Sequence, residues 1–335
     1  MLTDNLPRAP LPWQQPLWDM LSTRTEQNRL PHALLLQGAP GVGKGHLARL
    51  LAGALLCQKP AQGLPCGACH ACELLMAGSH PDFFLAHCEY DQKDGGEGEE
   101  AESLVQADST AKSKKAKVSK QIKMPCIRDL IKFSHYYSHQ GGRRVVIIEP
   151  AEAMNRNTAN ALLKTLEEPG ENLFIILVSH QASRLLPTLR SRCQSLFCAT
   201  PSAPDAQRWL AQFISPERAT FALSFCGDAP LRALRAVNEG DDTHYQQMRD
   251  ILVASQSGAI NYLQAGEALE KMDADKVIDW WLLYVHQACV EQLRASWVHF
   301  SDALLAVRKK MHSTANPNRR MLLESLLIDW MTLNR

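Results

Sequence analysis

Nothing in this chain is built to cross a membrane. No run of 18 or more apolar residues occurs, and a helix needs about 20 to span a bilayer. The first 20 residues carry Asp4, Arg8, Asp19 and four prolines, with no apolar core of signal-peptide type. Charge of either sign is also missing in bulk. Lys and Arg number 36 against 35 Asp and Glu, so the net charge of +1 advertises neither nucleic acid nor a membrane surface. Ten cysteines are too few for a disulfide framework in 335 residues. These absences predict a reducing, cytoplasmic protein. Apolar residues at 45% and charged residues at 21% are ordinary for a globular fold. The length exceeds one ordinary core and predicts two or three domains. No internal repeat is visible.

A smaller absence says more. Gly38-Ala39-Pro40-Gly41-Val42-Gly43-Lys44-Gly45 follows the phosphate-loop pattern G-x-x-x-x-G-K-[ST] up to its last position. Backbone N–H groups of such a loop surround phosphates, its Lys reaches the β/γ-phosphates, and its Ser or Thr hydroxyl holds Mg²⁺. Gly45 has no oxygen to offer. The loop lies between a short apolar run at 32–37, read as a buried strand, and a helical pattern at 45–56 with Leu47, Leu50, Leu51 and Leu55. Strand, glycine loop and helix are the context a phosphate loop requires.

Further strands are predicted at 82–88, 143–149, 172–179 and 193–198, with helical patterns between them. This alternation predicts an α/β module, a parallel sheet with helices on both faces, over 1–199. The stretch 89–123 breaks it, acidic first and lysine-rich afterwards, and reads as a disordered insertion that is either a solvated loop or a nucleic-acid tether. After Ala199 strand signals stop. Pro201-Ser202-Ala203-Pro204-Asp205 reads as a linker into helix, and every later periodic segment reads as helix. Gly240-Asp241-Asp242 marks a further break, giving a small helical domain at 200–243 and a helical bundle at 244–335 whose stripes include Ile278, Trp281, Leu282, Val285, Leu323, Leu326, Leu327 and Trp330.

Three other features bear on chemistry. Val145-Val146-Ile147-Ile148 is the strand that in a phosphate-loop ATPase ends in a metal-holding Asp, often followed by a Glu that orients water. Here Glu149 and Pro150 stand in those places, and Glu152 lies too far on to substitute, so intrinsic hydrolysis is not expected. Cys57-x8-Cys66-x2-Cys69-x2-Cys72 offers four thiolates at short spacing. Such a set suits a closed, structural Zn²⁺ site, with an iron–sulfur cluster as the rival occupant. The other six cysteines are scattered and read as core or surface thiols. Finally, Ser191-Arg192-Cys193 precedes the last strand. Arg192 is either an ordinary surface charge or an arginine finger aimed at a neighbour's γ-phosphate, and periodicity does not decide between them.

The phosphate loop, the four cysteines, Asn160-Ala161-Leu162-Leu163-Lys164-Thr165-Leu166-Glu167-Glu168-Pro169 and Ser191-Arg192-Cys193 occur in this order and spacing. Together they resemble the AAA+ clamp-loader subunits of bacterial DNA polymerase III, and among these the non-hydrolysing stator type. The likeness covers 30–235 well and the C-terminal bundle by length and helical character. It implies a AAA+ module (1–199) with a zinc module at 57–72, a helical lid (200–243) and a helical collar (244–335). It implies a five-subunit ring with gamma/tau and delta subunits that loads the sliding clamp onto primed DNA. It implies Zn²⁺ on Cys57, Cys66, Cys69 and Cys72, and Arg192 as a finger supplied in trans to a gamma/tau ATP site. Gly38, Gly41, Gly43 and Lys44 become a degenerate nucleotide loop at which ATP/Mg²⁺ binding stays open. Pro230-Leu231-Arg232 lies near where an active subunit keeps a sensor arginine. Two other readings compete: an active gamma-like AAA+ ATPase of replication or repair, which Gly45 and Pro150 oppose, and a zinc-ribbon nucleic-acid reader, for which the basic run 112–123 lacks aromatic residues to stack on bases.

Overall fold

The computed structural model describes residues 9–88, 121–136, 142–291, 295–311 and 318–333. The insertion read at 89–123 lies outside them except for its last three residues. The chain forms two compact units, Met1–Pro201 and Ser202–Arg335.

The first unit holds five strands: β1 (Ala33–Gln37), β2 (Phe83–Ala86), β3 (Arg144–Ile148), β4 (Leu173–Ser179) and β5 (Gln194–Phe197). Each lies inside one of the stretches the sequence marks as strand. They make one sheet in the order β2-β3-β4-β1-β5, with every neighbouring pair parallel. Leu35 of β1 lies opposite Leu177 of β4 on one side and Ser195 of β5 on the other. The helices are α1 (Gln15–Glu26), α2 (Lys44–Leu56), α3 (His70–Met76), α4 (Met124–His135), α5 (Arg156–Glu167) and α6 (Pro187–Arg190).

Strand side chains alternate between two cores. Leu34, Leu36, Val145, Ile147, Ile176 and Val178 pack with Trp18 and Leu21 of α1 and Leu47, Leu50 and Leu51 of α2. Ala33, Leu35, Val146, Ile148, Ile175 and Leu177 pack with Ile127 and Leu130 of α4 and Leu162 and Leu166 of α5. A sheet covered on both faces explains why its central strands β1, β3 and β4 are nearly continuous apolar runs. Each fully buried Leu, Ile or Val contributes about 1.5–3 kcal/mol. Helix α5 starts where the Asn155 side chain accepts from the Thr158 N–H at 3.0 Å. All strands being parallel, β1 delivers the glycine loop to the carboxyl edge of the sheet, where open α/β sheets place their ligands.

In the second unit every described element is helical: α7 (Ala203–Leu210), α8 (Pro216–Cys226), α9 (Pro230–Glu239), α10 (Asp241–Gln256), α11 (Tyr262–Glu270), α12 (Ala274–Glu291), α13 (Ala295–Met311) and α14 (Arg319–Thr332). The break read at 240–242 is the left-handed Gly240, φ 77°, where α9 ends and α10 begins. Arg218 of α8 donates from Nε (2.9 Å) and Nη2 (2.6 Å) to one oxygen of the buried Asp242 in α10.

Candidate nucleotide and metal sites

The glycine loop is fully formed. Gly41 and Gly43 adopt φ 83° and 91°, a region closed to most side chains, and α2 starts at Lys44 directly after. A Cβ at Gly38 would collide with the Cys198 carbonyl oxygen at the end of β5. The loop is braced from outside. Trp13 Nε1 donates to the Val42 carbonyl at 3.0 Å, and Gln14 Nε2 donates to Val42 (3.1 Å) and Gly43 (2.9 Å). Lys44 is buried, and its ammonium donates to the Gly38 and Ala39 carbonyls at 2.8 and 2.6 Å. Burial pulls its pKa below the usual ammonium range, while Cys198, Glu152 and Glu149 pull the other way.

The acidic strand end meets the same place. Glu149 follows β3 and forms an ion pair with Arg49 of α2, Nη2 to Oε2 at 2.9 Å. A Cβ built at Gly45 would collide with Glu149 Oε1, and would stand 2.8 Å from both Glu149 Cδ and Arg49 Nη1. The space of the missing hydroxyl residue is therefore filled by a carboxylate and a guanidinium. A Mg²⁺–nucleotide pair does not fit this arrangement: its hydroxyl ligand is missing and a fixed cation already faces the acid. Glu152 does not reach round to replace Pro150. Its Oε1 accepts from the His180 N–H at 2.9 Å, beyond β4. Its Oε2 and His180 Nδ1 are buried without a hydrogen-bond partner.

The four cysteines converge. Cys57 is the residue that closes α2, Cys69 the one that opens α3, and Cys72 lies in the first turn of α3. Their Sγ atoms and that of Cys66 all lie within 4.8 Å of one another, with Cys57 and Cys69 at 3.9 Å. A tetrahedral Zn–S₄ centre with bonds of about 2.3 Å needs sulfur–sulfur edges of about 3.8 Å. The donor set thus fits a closed four-thiolate metal centre. Burial pushes the Cys72 thiol up to about 12 and raises Cys57. At Cys69 burial also works upward, but the backbone donors of Cys72 and Gln58, together with the Cys72 and Cys66 thiols, outweigh it and bring the thiol down to about 6. The remaining cysteines behave as read: Cys126, Cys193, Cys198 and Cys226 are buried, Cys88 and Cys289 half-buried, and none is in a disulfide.

Arg192 lies in the exposed turn between α6 and β5. Its Nη1 donates to the Thr188 carbonyl at 2.8 Å, and its Nε donates to Glu167 Oε1 at 2.6 Å. Glu167 ends α5, where the helix dipole disfavours an anion, and the guanidinium offsets that penalty.

A family model described as "DNA polymerase III, delta subunit" matches residues 13–201. The DNA polymerase III subunit delta' of Pseudomonas aeruginosa is 36% identical, over 96% of this chain and 97% of the relative. The subunit delta' of Escherichia coli is 31% identical over 69% of this chain and 61% of the relative. The chain belongs to the delta' family of DNA polymerase III subunits. It is therefore a clamp-loader subunit of the AAA+ class. The subunit tau of Escherichia coli is more distant, 25% identical over 79% of this chain. A gamma subunit-related protein of Thermotoga maritima superposes with a TM-score of 0.54 at 15% identity, covering 95% of this chain and 99% of its own, which supports the same fold.

Within this delta' chain the fold brings the acid at 149 against the start of α2 beside Gly45, and it brings the four cysteines together. The residues missed are Arg49, Trp13 and Gln14. An arginine one helical turn beyond Gly45 was a readable signal for Arg49. Nothing local marks a Trp-Gln pair as the brace of a loop that follows much later in the chain.

Proposed function

We propose that this chain is the non-hydrolysing stator of a five-subunit clamp-loader ring, assembled with gamma/tau and delta subunits to load the sliding clamp onto primed DNA in the bacterial cytoplasm. The observation that carries the reading is a phosphate loop formed in every respect while Gly45 and Pro150 stand where the metal and the water are handled. Arg192 then serves as a finger in trans to a neighbouring gamma/tau ATP site. Its support is an exposed guanidinium, held in a defined rotamer by Glu167 and Thr188 at the last strand of the sheet. Helices over 200–243 act as the lid and those over 244–335 as the oligomerising collar. The thiolate quartet holds a structural Zn²⁺, with no open position for a reacting water.

The test is a ring rebuilt with Arg192→Ala, its assembly verified. DNA-dependent ATP turnover and clamp loading should both fall. A trans finger contributes about 10³–10⁵ in rate at its own site, and the whole ring loses less because one site of several borrows from this chain. Arg192→Lys should rescue poorly, since a point charge lacks the planar fork. Unchanged turnover and loading in the Arg192→Ala ring would remove the finger.

A further inference from the structure

We propose that the Arg49–Glu149 ion pair is a built-in replacement for the nucleotide-bound metal, so that this phosphate loop keeps its closed shape with a guanidinium where an active subunit needs Mg²⁺. Four observations converge. Glu149 is one methylene longer than the Asp expected at this strand end, and the extra length carries its Oε1 into the volume that a side chain at position 45 would occupy. Gly45 leaves that volume free, so the small residue and the long acid complement each other. Arg49 is four residues beyond Gly45 on α2 and therefore on the same helix face, and its Nη2 sits 2.9 Å from Glu149 Oε2. Lys44, the residue that would otherwise face the phosphates, spends its donors on the Gly38 and Ala39 carbonyls of its own loop.

The physical consequence is an exchange of ligands. In a working site a carboxylate and a hydroxyl share one dication with the phosphates. Here the carboxylate is neutralised by a covalently tethered monocation. A dication can reach Glu149 only by displacing Arg49, and it would find no hydroxyl beside it. The loop is thus held in its folded form by the chain itself, and its shape does not wait on nucleotide. The inference rests on the non-hydrolysing reading of this loop. Its test reads metal binding and folding of the isolated full-length chain, so its failure is separate from any failure of the Arg192 finger.

The probe is Mg²⁺ alone, followed by thermal unfolding at matched ionic strength. The melting temperature of the unaltered chain should be indifferent to Mg²⁺. Arg49→Ala frees Glu149, and its melting temperature should rise with the logarithm of Mg²⁺ concentration, as for any ligand that binds only the native state. Arg49→Ala combined with Glu149→Gln should lose that rise. A second set of variants works even if Arg49→Ala folds poorly. Gly45→Thr should lower the melting temperature, because its Cβ collides with Glu149, and Gly45→Thr/Glu149→Asp should recover most of the loss. Equal Mg²⁺ responses of the unaltered chain and Arg49→Ala, or strictly additive effects at positions 45 and 149, would overturn the proposal.

Discussion

Cys57 closes α2, Cys66 lies in the short loop that follows, and Cys69 and Cys72 open α3, so the four stand within 16 residues of one another. A site this local is legible from spacing, because the chain cannot separate such neighbours by much. The Arg49–Glu149 pair is the opposite case. Its partners come from α2 and the end of β3, and only the folded sheet brings them together. Elemental analysis of the purified chain should find one zinc per molecule. Cys69→Ser should release it and lower the melting temperature, since structural metal affinity is folding free energy. Metal retention should also depend on pH with a definite sign. Burial raises Cys57 and Cys72, hydrogen bonds lower Cys66 and Cys69, and a metal must hold all four as thiolates against protons. Acid returns protons to the thiolates, so zinc content should fall as pH drops below neutral. Iron in place of zinc, or metal content indifferent to Cys69→Ser, would contradict the assignment.

Among the elements, β1, β3 and β4 were the most readable because both faces of each are buried, which writes them as nearly uninterrupted apolar runs, whereas the edge strand β5 is Gln-Ser-Leu-Phe with Phe197 exposed. Helix α1 was not readable. Four prolines in the first 20 residues hide its helical pattern, yet Pro12 and Pro16 each stand in a first turn, where a missing N–H costs nothing, and Trp18 and Leu21 enter the core behind them. Arg144 shows a second limit. A charged residue opening an apolar strand reads as its solvent end, but it is buried. Its Nη1 donates to the carbonyls of Phe133 (2.9 Å), Ser134 (3.1 Å) and Tyr136 at the end of α4, and its Nη2 donates to Glu171 at 3.1 Å. It therefore caps α4 and ties it to β3 and the turn before β4. Gly170 makes room, since a Cβ there would stand 2.7 Å from Arg144 Nη2. Arg144→Leu should destabilise the first unit by on the order of 3 kcal/mol, through several buried carbonyls left without a donor. Because Arg144 opens its strand, at the edge opposite the glycine loop, turnover per assembled ring should be unchanged. Chemical denaturation checks the first outcome, and a ring assay on folded protein checks the second.

For the whole molecule, the helical second unit was readable as a class and not as a packing scheme. Periodicity named Trp281 and Trp330 as core, but not that they meet edge to face, their ring centroids 5.8 Å apart, with Phe300 and Trp297 also against Trp330. Trp330 is fully buried in α14, and its Nε1 donates to the Leu252 carbonyl of α10 at 3.1 Å. One side chain thus joins contacts from α10, α12, α13 and α14. Trp330→Ala should cost about 3–5 kcal/mol, the range for large-to-small changes in a core, with the lost hydrogen bond adding to it. That cost should fall on one unit. Among the described residues, the buried members of the sheet's two clusters run no further than Cys198. Hydrogen exchange on the full-length variant should therefore show accelerated amides in α10–α14, unchanged protection in β1, β3 and β4, and full retention of zinc. Equal loss of protection in both units would mean that they unfold as one cooperative body. The packing of the second unit would then govern the stability of the phosphate loop as well.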